Sequence, residues 1–346
     1  MTKQIIIKLA GLIAVVACLN VVYKYTLYPA DTMSWYPESA EIKTTQDATD
    51  IFYFGESSNI TYRPGDSITL SISEIAALFY PGLHLTTINK PATHMGIYKE
   101  WLKELEPGKR MPRAIVITLN LRSFDAAWIH SKLETALQEA LVLRKPLPPL
   151  VNRFMLSLQA FDNKTPQQRE NDMLKEWTLP LKFPFPFRYR TVAEWDYAMA
   201  QGTYLNPDGS WNIPKITLAC HYIKSYAFNL SESNPRVADL DEITAWCRQE
   251  RLPLYLNLMA ENVEYADSLV GKELVFLMKQ NRDYLVKRYH QPGCTVVDNL
   301  TAVKGIEFID QDWTTEHYTF RGRMRIARNL ADSLRKQFNH SYKKAY

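Results

Sequence analysis

The sequence predicts an α/β protein built on a doubly wound, mostly parallel β-sheet. Short apolar runs bounded by turn residues recur along the chain, and such runs are typical of buried parallel strands. Segments with apolar residues at helical spacing separate these runs, and parallel strands require crossover connections of this kind. The chain has 346 residues, of which 46% are hydrophobic and 23% are charged, so it can form a sizeable core.

Five segments are predicted to form the strands. The apolar run 51–54 ends at Gly55, and 114–119 is the clearest strand in the chain. Segments at helical spacing alternate with these strands, which is the pattern of a doubly wound sheet. The remaining strand predictions are 84–88, 253–259 and 294–297, and the helix predictions are 71–79, 97–105, 130–143, 216–228, 239–250, 272–289 and 322–337.

The N-terminus is predicted to be a membrane anchor. Residues 5–22 are nearly all apolar, with Lys8 and Asn20 as exceptions, and a membrane-spanning helix needs about 20 such residues. Lys3 and Lys8 precede the most apolar stretch, which places the N-terminus in the cytoplasm. The rest of the chain is therefore expected on the periplasmic side of an inner membrane. A lipoprotein cleavage box that ends at Cys18 and a buried helix are the alternatives.

The chain divides into four predicted parts. Residues 1–28 form the anchor, 29–49 form a polar and aperiodic linker, and 50–340 form the α/β domain. Within that domain, 145–214 is rich in prolines and aromatic residues and shows no regular period. We expect this segment to be an insertion, part helix and part loop, that lies over the main sheet.

The composition argues against several classes of function. The formal charge of +4 is small for this length, and no basic stripe is interleaved with aromatic residues, so nucleic-acid binding is not expected. The cysteines lack the close spacing of a metal site, and no metal or other cofactor is expected. Besides Cys18 in the anchor, the chain has Cys220, Cys247 and Cys294, which fit either one disulfide with a free thiol or three buried thiols.

Polar residues follow the predicted strands at their carboxyl ends, where open parallel sheets bind ligands. Gly55 and Ser57 follow the first strand, Asn89 follows the second, and Asn120 follows the third. His317 stands shortly before the last helix. A serine hydroxyl needs a neighbouring base to attack at neutral pH, and the resulting oxyanion needs preorganised donors. The sequence therefore predicts Ser57 and His317 as a catalytic pair, with the Ser57 backbone N–H and the Asn120 amide as oxyanion donors.

The order of these residues resembles that of the SGNH (GDSL-like) hydrolases. The segment 50–57 looks like the first block of the family, a strand that runs into Gly-Asp-Ser. The segments 89–92 and 115–120 resemble the second and third blocks. The segments 296–298 and 317–327 resemble the last block, in which the histidine is followed by a glycine and a terminal helix. The resemblance implies a flavodoxin-like, three-layer fold and a serine hydrolase site.

This resemblance implies an esterase or O-acyltransferase that acts outside the cytoplasm. Membrane-anchored relatives that add or remove acyl groups on cell-envelope polysaccharides look similar, which implies an acylated glycan or another ester as substrate. Such proteins often act beside a membrane-bound O-acyltransferase, so that partner is expected by analogy alone. The alternative is a non-catalytic glycan-binding or assembly protein on the same fold.

The group that orients the histidine is the main departure from the family. The family carries an acid three residues before the histidine, where this chain has Thr314. Asp312 is the first choice for the orienting carboxylate, ahead of Asp310 and Glu316, and a backbone carbonyl or no such group stays open. Glu316 is disfavoured because adjacent side chains in an extended segment point to opposite faces, and its neighbour is His317.

Three smaller departures concern the first two blocks. Glu56 stands where the family usually has Asp, and Ala92 replaces the second-block glycine unless Gly96 supplies it. A literal Gly-Asp-Ser sequence ends at Ser67, and it competes with Ser57 for the role of nucleophile. That sequence follows a proline, which a central strand does not tolerate, and its composition is typical of a turn. Ser57 is therefore the preferred serine.

Overall fold

A parallel β-sheet forms the centre of the protein. The computed structural model describes residues 2–343, with all side chains except those at positions 2, 135–137 and 140. Within these residues, five strands form one sheet in the order β2-β1-β3-β4-β5, and all of their pairings are parallel. The strands are β1 (Ile51–Gly55), β2 (Leu85–Asn89), β3 (Ala114–Leu119), β4 (Leu254–Leu258) and β5 (Cys294–Asp298).

Helices precede, separate and follow these strands. They are α1 (Thr2–Thr26), α2 (Tyr28–Trp35), α3 (Pro37–Thr45), α4 (Ser57–Ile60), α5 (Ile72–Leu78), α6 (Met95–Leu102), α7 (Ala126–Ile129), α8 (Lys132–Leu141), α9 (Pro149–Ser157), α10 (Pro166–Trp177), α11 (Val192–Ala200), α12 (Ile213–Tyr226), α13 (Pro235–Gln249), α14 (Val263–Leu269), α15 (Lys272–Tyr289) and α16 (Phe320–Phe338).

The register of the sheet brings the carboxyl ends of the strands to one edge. Gly55 at the end of β1 pairs with Asn89 at the end of β2. Leu119 at the end of β3 pairs with Leu258 at the end of β4, which in turn pairs with Asp298 of β5. The loops that follow the strands therefore start side by side along this edge.

Successive side chains of each strand enter two separate cores. Phe52 and Phe54 of β1 pack on one face of the sheet, where Phe54 lies 5.3 Å from Trp101 of α6 between ring centroids. Tyr53 of β1 belongs to the other core, to which α5 and α16 contribute. Because a strand points alternate side chains to opposite faces, continuous burial of β1 requires cover on both faces.

The predicted alternation of strands and helices is confirmed, and β3 and α15 have the predicted bounds. The largest shift concerns α13, which begins four residues earlier than predicted. The side chain of Asn234 accepts a hydrogen bond from the backbone N–H of Arg236, at 2.9 Å, and Pro235 occupies the first helical position. An N-cap followed by proline starts a helix before its apolar period becomes visible.

The segment 29–49, interpreted from the sequence as an aperiodic linker, is largely helical and packs on the domain. Helices α2 and α3 occupy most of it, and Tyr36 and Ile42 are fully buried in the core that contains Trp101. Gln46 donates a hydrogen bond to the backbone oxygen of Glu106 at 3.0 Å. Two buried apolar side chains are too few to produce a helical period in the sequence, so the pattern gave no sign of this packing.

The segment 145–214, predicted as an insertion, contains α9, α10 and α11, joined by loops. Its aromatic residues form a packed cluster in which the Phe187 ring lies 4.7 Å from both Phe183 and Trp195. Trp195 and Val192 also belong to the core on the Phe54 face of the sheet. Aromatic packing therefore takes the place of regular periodicity in this segment.

Helix α1 is long and apolar enough to cross a membrane. The segment Lys3–Thr26 has 24 residues and a mean hydropathy of 2.6, and its most apolar stretch is not buried against the protein. By length and composition this helix can be a membrane anchor, although a signal sequence near an N-terminus meets the same criteria.

Arg323 of α16 holds the segment that contains the literal Gly-Asp-Ser sequence. Its guanidinium is fully buried and donates to the backbone oxygens of Ile68 and Leu70, at 2.7 and 3.0 Å. It also donates to the backbone oxygen of Tyr318 at 2.7 Å and lies 3.4 Å from the Asp66 carboxylate. One buried cation therefore provides several of the hydrogen bonds that shape this loop.

Replacing Arg323 with alanine should lower the free energy of unfolding by about 3–5 kcal/mol, because it leaves buried carbonyl groups without a donor. Urea unfolding of the detergent-solubilised protein measures the change. The control is Arg328→Ala in the same helix, where the side chain is exposed and the expected effect stays within about 0.5 kcal/mol. Equal effects of the two substitutions would contradict the assigned role of Arg323.

Candidate active site

The turn after β1 places Ser57 at the carboxyl edge of the sheet. The strand ends at Gly55, and Glu56 is the N-cap of the short helix α4, whose first residue is Ser57. The Glu56 carboxylate accepts a hydrogen bond from the backbone N–H of Ser58 at 2.8 Å. The first N–H groups of a helix have no partner within the helix, so the Ser57 N–H is available to a ligand at this position.

A chain of hydrogen bonds links Ser57 to a histidine and an aspartate. The Ser57 hydroxyl oxygen lies 3.3 Å from Nε2 of His317. On the other side of the imidazole ring, Nδ1 lies 2.7 Å from Oδ2 of Asp310. The side chains of His317 and Asp310 are 21% and 33% exposed, so solvent can reach these hydrogen-bonded residues from one side. The structure thus brings together the two residues that the sequence analysis paired, although 260 positions separate them.

The carboxylate that holds His317 is Asp310, where the sequence analysis favoured Asp312. Asp312 is exposed. An antiparallel bridge joins Phe308 to Tyr318, and the backbone N–H of Ile309 donates to the backbone oxygen of His317 at 2.8 Å. These contacts fold the segment back on itself, so a carboxylate seven positions away becomes the neighbour of the imidazole.

Thr315 supports the same carboxylate. Its hydroxyl donates a hydrogen bond to Oδ2 of Asp310, the oxygen that also contacts His317. This shared oxygen fixes the orientation of the carboxylate relative to the imidazole ring. A carboxylate held against Nδ1 keeps the proton on that nitrogen and leaves Nε2 as an acceptor facing Ser57.

Glu316 points away from Ser57, as the alternation of an extended segment predicts. Its buried carboxylate pairs with Arg122, whose Nε and second terminal nitrogen lie 3.1 and 2.9 Å from the two carboxylate oxygens. Burial raises the pKa of Glu316, the Arg122 guanidinium opposes that rise, and the nearby Glu56 carboxylate adds to it. This ion pair ties the loop after β3 to the loop that carries His317.

A second buried acid, Glu261, follows β4 at the same edge. The hydroxyl of Tyr226 donates to Oε2 of Glu261 at 2.6 Å. Burial raises the pKa of Glu261 well above its usual range, and the carboxylate of Glu316 raises it further. Glu261 and Glu316 lie in the field of one guanidinium, that of Arg122, which acts to lower the pKa of each and opposes part of the effect of burial.

The residues expected to bind the oxyanion or substrate lie at this edge, but their amides have protein partners. Nδ2 of Asn120 donates to Oε1 of Glu56 at 2.7 Å, which leaves its second amide hydrogen for a ligand. Oδ1 of Asn89 accepts from Nδ2 of Asn59 at 3.0 Å. The side-chain oxygen of Asn89 lies very close to Gly55. A Cβ atom added to Gly55 would overlap this oxygen.

Glu56 is the residue whose importance the sequence reasoning missed. Its carboxylate is buried and accepts from the Ser57 hydroxyl at 2.9 Å as well as from Ser58 and Asn120. A hydroxyl has one hydrogen, so Ser57 can donate to Glu56 or to His317 but not to both. Its position just before the serine, where the family usually has Asp, was the signal in the sequence.

The other positions at which the sequence departs from the SGNH pattern lie outside the hydrogen bonds of His317. Ser67 is exposed and lies in the turn that Arg323 holds, well outside the contacts of His317 that the structure describes. Ala92 has a φ of 58°, a left-handed conformation that favours glycine. Gly96 lies inside α6. Ala92 therefore occupies the backbone conformation in which a glycine is expected.

The side chains that most often bind metals are dispersed. Within residues 2–343, no group of three or more His, Cys, Asp or Glu side chains is arranged to hold a metal ion. Cys220, Cys247 and Cys294 are buried thiols, and Cys18 is an exposed thiol on α1. The arrangement with three buried thiols is the one that the structure contains.

No protein-family model matches the sequence, and no curated protein matches it. The resemblance to the SGNH hydrolases therefore depends on the order of the residues in the chain.

The close approach of Asn89 makes Gly55 sensitive to substitution. In Gly55→Ala the new Cβ atom overlaps the Asn89 side-chain oxygen and lies 3.1 Å from the Tyr53 ring, so the strand end must shift. We expect a loss of about 1–3 kcal/mol in the free energy of unfolding, measured by urea titration. Gly82→Ala, where no atom lies within 4 Å of the added Cβ, is the matched control and should be nearly neutral.

Proposed function

We propose that this protein is a membrane-anchored, extracytoplasmic serine esterase or O-acyltransferase of the SGNH type. The observation that carries the proposal is the hydrogen-bonded order Ser57, His317 and Asp310 at the carboxyl edge of a parallel sheet. A nucleophile, a base and a carboxylate that orients the base are the groups that acyl transfer requires. The lack of an acid at position 314 favoured a non-catalytic binding protein. Asp310 offers His317 a carboxylate in its place, which supports the enzyme.

The arrangement of the sheet supports the same proposal. The strand order β2-β1-β3-β4-β5 also occurs in flavodoxin-like folds and so supports a doubly wound arrangement. In such folds ligands bind outside the carboxyl ends of the strands, near the point where the strand order reverses. Here the order reverses between β1 and β3, and Ser57 and Asn120 follow those two strands.

The reaction begins with attack by the Ser57 oxygen on the carbonyl carbon of an ester. The hydroxyl proton passes to Nε2 of His317, and the Asp310 carboxylate stabilises the imidazolium that forms. His317 then gives this proton to the departing alkoxide oxygen, which leaves an acyl group on Ser57. Attack by water releases a carboxylic acid, whereas attack by an acceptor hydroxyl transfers the acyl group.

The tetrahedral intermediate has two candidate donors for its oxyanion. One is the Ser57 backbone N–H at the start of α4, and the other is the second amide hydrogen of Asn120. Glu56 holds Asn120 in place on one side, so this amide is preorganised before substrate binds. For the attack to occur, the Ser57 hydroxyl must turn its hydrogen from Glu56 to His317.

An acylated glycan of the cell envelope is the proposed substrate class, with a membrane-bound O-acyltransferase as partner by analogy. Trp313 supports a glycan, because its indole is 45% exposed in the loop that carries His317 and lies 4.0 Å from the His221 ring. An exposed indole offers a flat apolar surface to a sugar ring. The apolar α1 supports anchoring to a membrane, and Lys3 and Lys8 support an orientation with the domain outside the cytoplasm.

A fluorophosphonate probe should label the full-length protein covalently at Ser57, because such probes react with activated serine hydroxyls. Mass spectrometry of the labelled peptide locates the adduct. Ser57→Ala should abolish labelling, whereas Ser67→Ala, at the exposed serine of the literal Gly-Asp-Ser sequence, should leave it unchanged. Absence of a Ser57 adduct from folded protein would refute the enzyme and favour a glycan-binding function.

The pair Asp310→Asn and Asp312→Asn tests which carboxylate serves His317. Hydrolysis of p-nitrophenyl acetate by Asp310→Asn should fall by roughly 10²- to 10⁴-fold in kcat, because the imidazole loses its orienting charge. Asp312→Asn removes the same charge from the same loop at an exposed position and should keep nearly full activity. A larger loss in Asp312→Asn than in Asp310→Asn would overturn the assignment of Asp310.

A further inference from the structure

Helix α9 of the insertion exposes an apolar stripe. The side chains of Leu147, Val151, Phe154 and Leu158 are 46%, 37%, 62% and 61% exposed. Val151 and Phe154 lie three residues apart on one face of α9, Leu158 directly follows the helix, and Leu147 precedes its N-cap Pro148. Exposed apolar residues gathered on one surface are typical of a contact with another apolar phase.

The opposite face of α9 is packed against the protein, which fixes the orientation of the stripe. Leu156 is buried in a small apolar cluster with Val142 and Leu143. Asn152 is also buried and donates to the backbone oxygen of Lys145 at 2.8 Å. The helix therefore cannot rotate to bury Phe154 without breaking these contacts.

Helix α9 is attached to the candidate membrane anchor. The side-chain oxygen of Asn20 in α1 accepts a hydrogen bond from the backbone N–H of Leu150 in the first turn of α9, at 3.0 Å. Arg153 of α9 pairs with Asp31, just beyond the anchor, at 2.9 Å. The two helices also pack on one another, which brings the stripe close to the exposed apolar residues of α1.

The attachment point lies within the length of the span. Lys3–Thr26 has 24 residues, or about 36 Å of helix, against a hydrocarbon core of about 30 Å. A centred span therefore extends about 3 Å beyond the core at each end. Asn20 is six residues, or about 9 Å, before Thr26, which places it about 6 Å inside the core boundary. Amphipathic interfacial helices insert their apolar faces by about 5–10 Å, a matching depth.

We propose that α9 lies in the membrane interface beside α1, with Leu147, Val151, Phe154 and Leu158 against the acyl chains of the bilayer. The insertion is then a second membrane contact of this protein. A single spanning helix leaves a domain free to turn about the helix axis, whereas a second contact fixes one side of the domain against the bilayer. This inference rests on the anchor and does not depend on catalysis by Ser57.

The proposal explains why the apolar anchor contains the polar residue Asn20. Pro148, the N-cap of α9, makes no side-chain hydrogen bond to the first turn of the helix. In a lipid environment a backbone N–H without an acceptor costs several kcal/mol. Asn20 supplies an acceptor to Leu150 at that depth, where water cannot do so.

Fluorescence quenching in membranes tests the proposal. The full chain carries Cys18→Ser, because Cys18 is exposed while the other three thiols are buried. Single cysteines are introduced as Phe154→Cys and Leu158→Cys, labelled with a nitrobenzoxadiazole dye and reconstituted into phosphatidylcholine–phosphatidylglycerol vesicles. The matched control is Ile306→Cys, an exposed aliphatic position outside α9 with 81% exposure.

Labels at positions 154 and 158 should be quenched strongly by lipids with a doxyl group on the acyl chain and weakly by aqueous iodide. The label at position 306 should show the reverse order. Strong iodide quenching at 154 and 158, as at 306, would place the stripe in water and overturn the proposal. Protection from both quenchers would show that a protein covers the stripe, which also overturns it.

Discussion

The buried carboxylate of Glu56 is the contact on which the candidate site depends. It accepts hydrogen bonds from the hydroxyl of Ser57, the backbone of Ser58 and the amide of Asn120. Through these bonds one side chain joins the ends of β1 and β3, the two central strands between which the strand order reverses. A buried carboxylate is costly unless its oxygens accept hydrogen bonds. The three donors are therefore kept in place by the same bonds that stabilise Glu56.

The loop that carries His317 depends on a second constraint, the alternation of side chains along an extended segment. His317 faces Ser57 and Asp310, while its neighbour Glu316 faces inward and pairs with Arg122. Arg122 follows β3, so the ion pair fixes the histidine loop to the same part of the sheet that Glu56 fixes. Burial raises the pKa values of Glu316 and Glu261, the Glu316 carboxylate raises that of Glu261 further, and the Arg122 guanidinium offsets part of the effect.

The contacts between the anchor and the domain follow from packing of the segment after α1. Tyr36 and Ile42 are buried in the main core, and Glu38 pairs with Lys90, the residue that follows β2, at 2.9 Å. Together with the Asp31–Arg153 pair, these contacts join α1 to the domain through folded structure. The position of the domain relative to the anchor is therefore set by tertiary contacts, which a flexible linker would not provide.

The sequence by itself determined the strands and crossover helices, the apolar α1, and the pairing of Ser57 with His317. These features depend on local patterns, namely buried runs, helical spacing and polar residues at strand ends. Tertiary structure alone decided that Asp310 takes the place expected for Asp312, and that Glu56 joins two loops. Both outcomes depend on side chains that meet across a folded loop or between strands, and linear spacing does not encode such distances. The bridge between Phe308 and Tyr318 is what turns a separation of seven residues into a direct hydrogen bond.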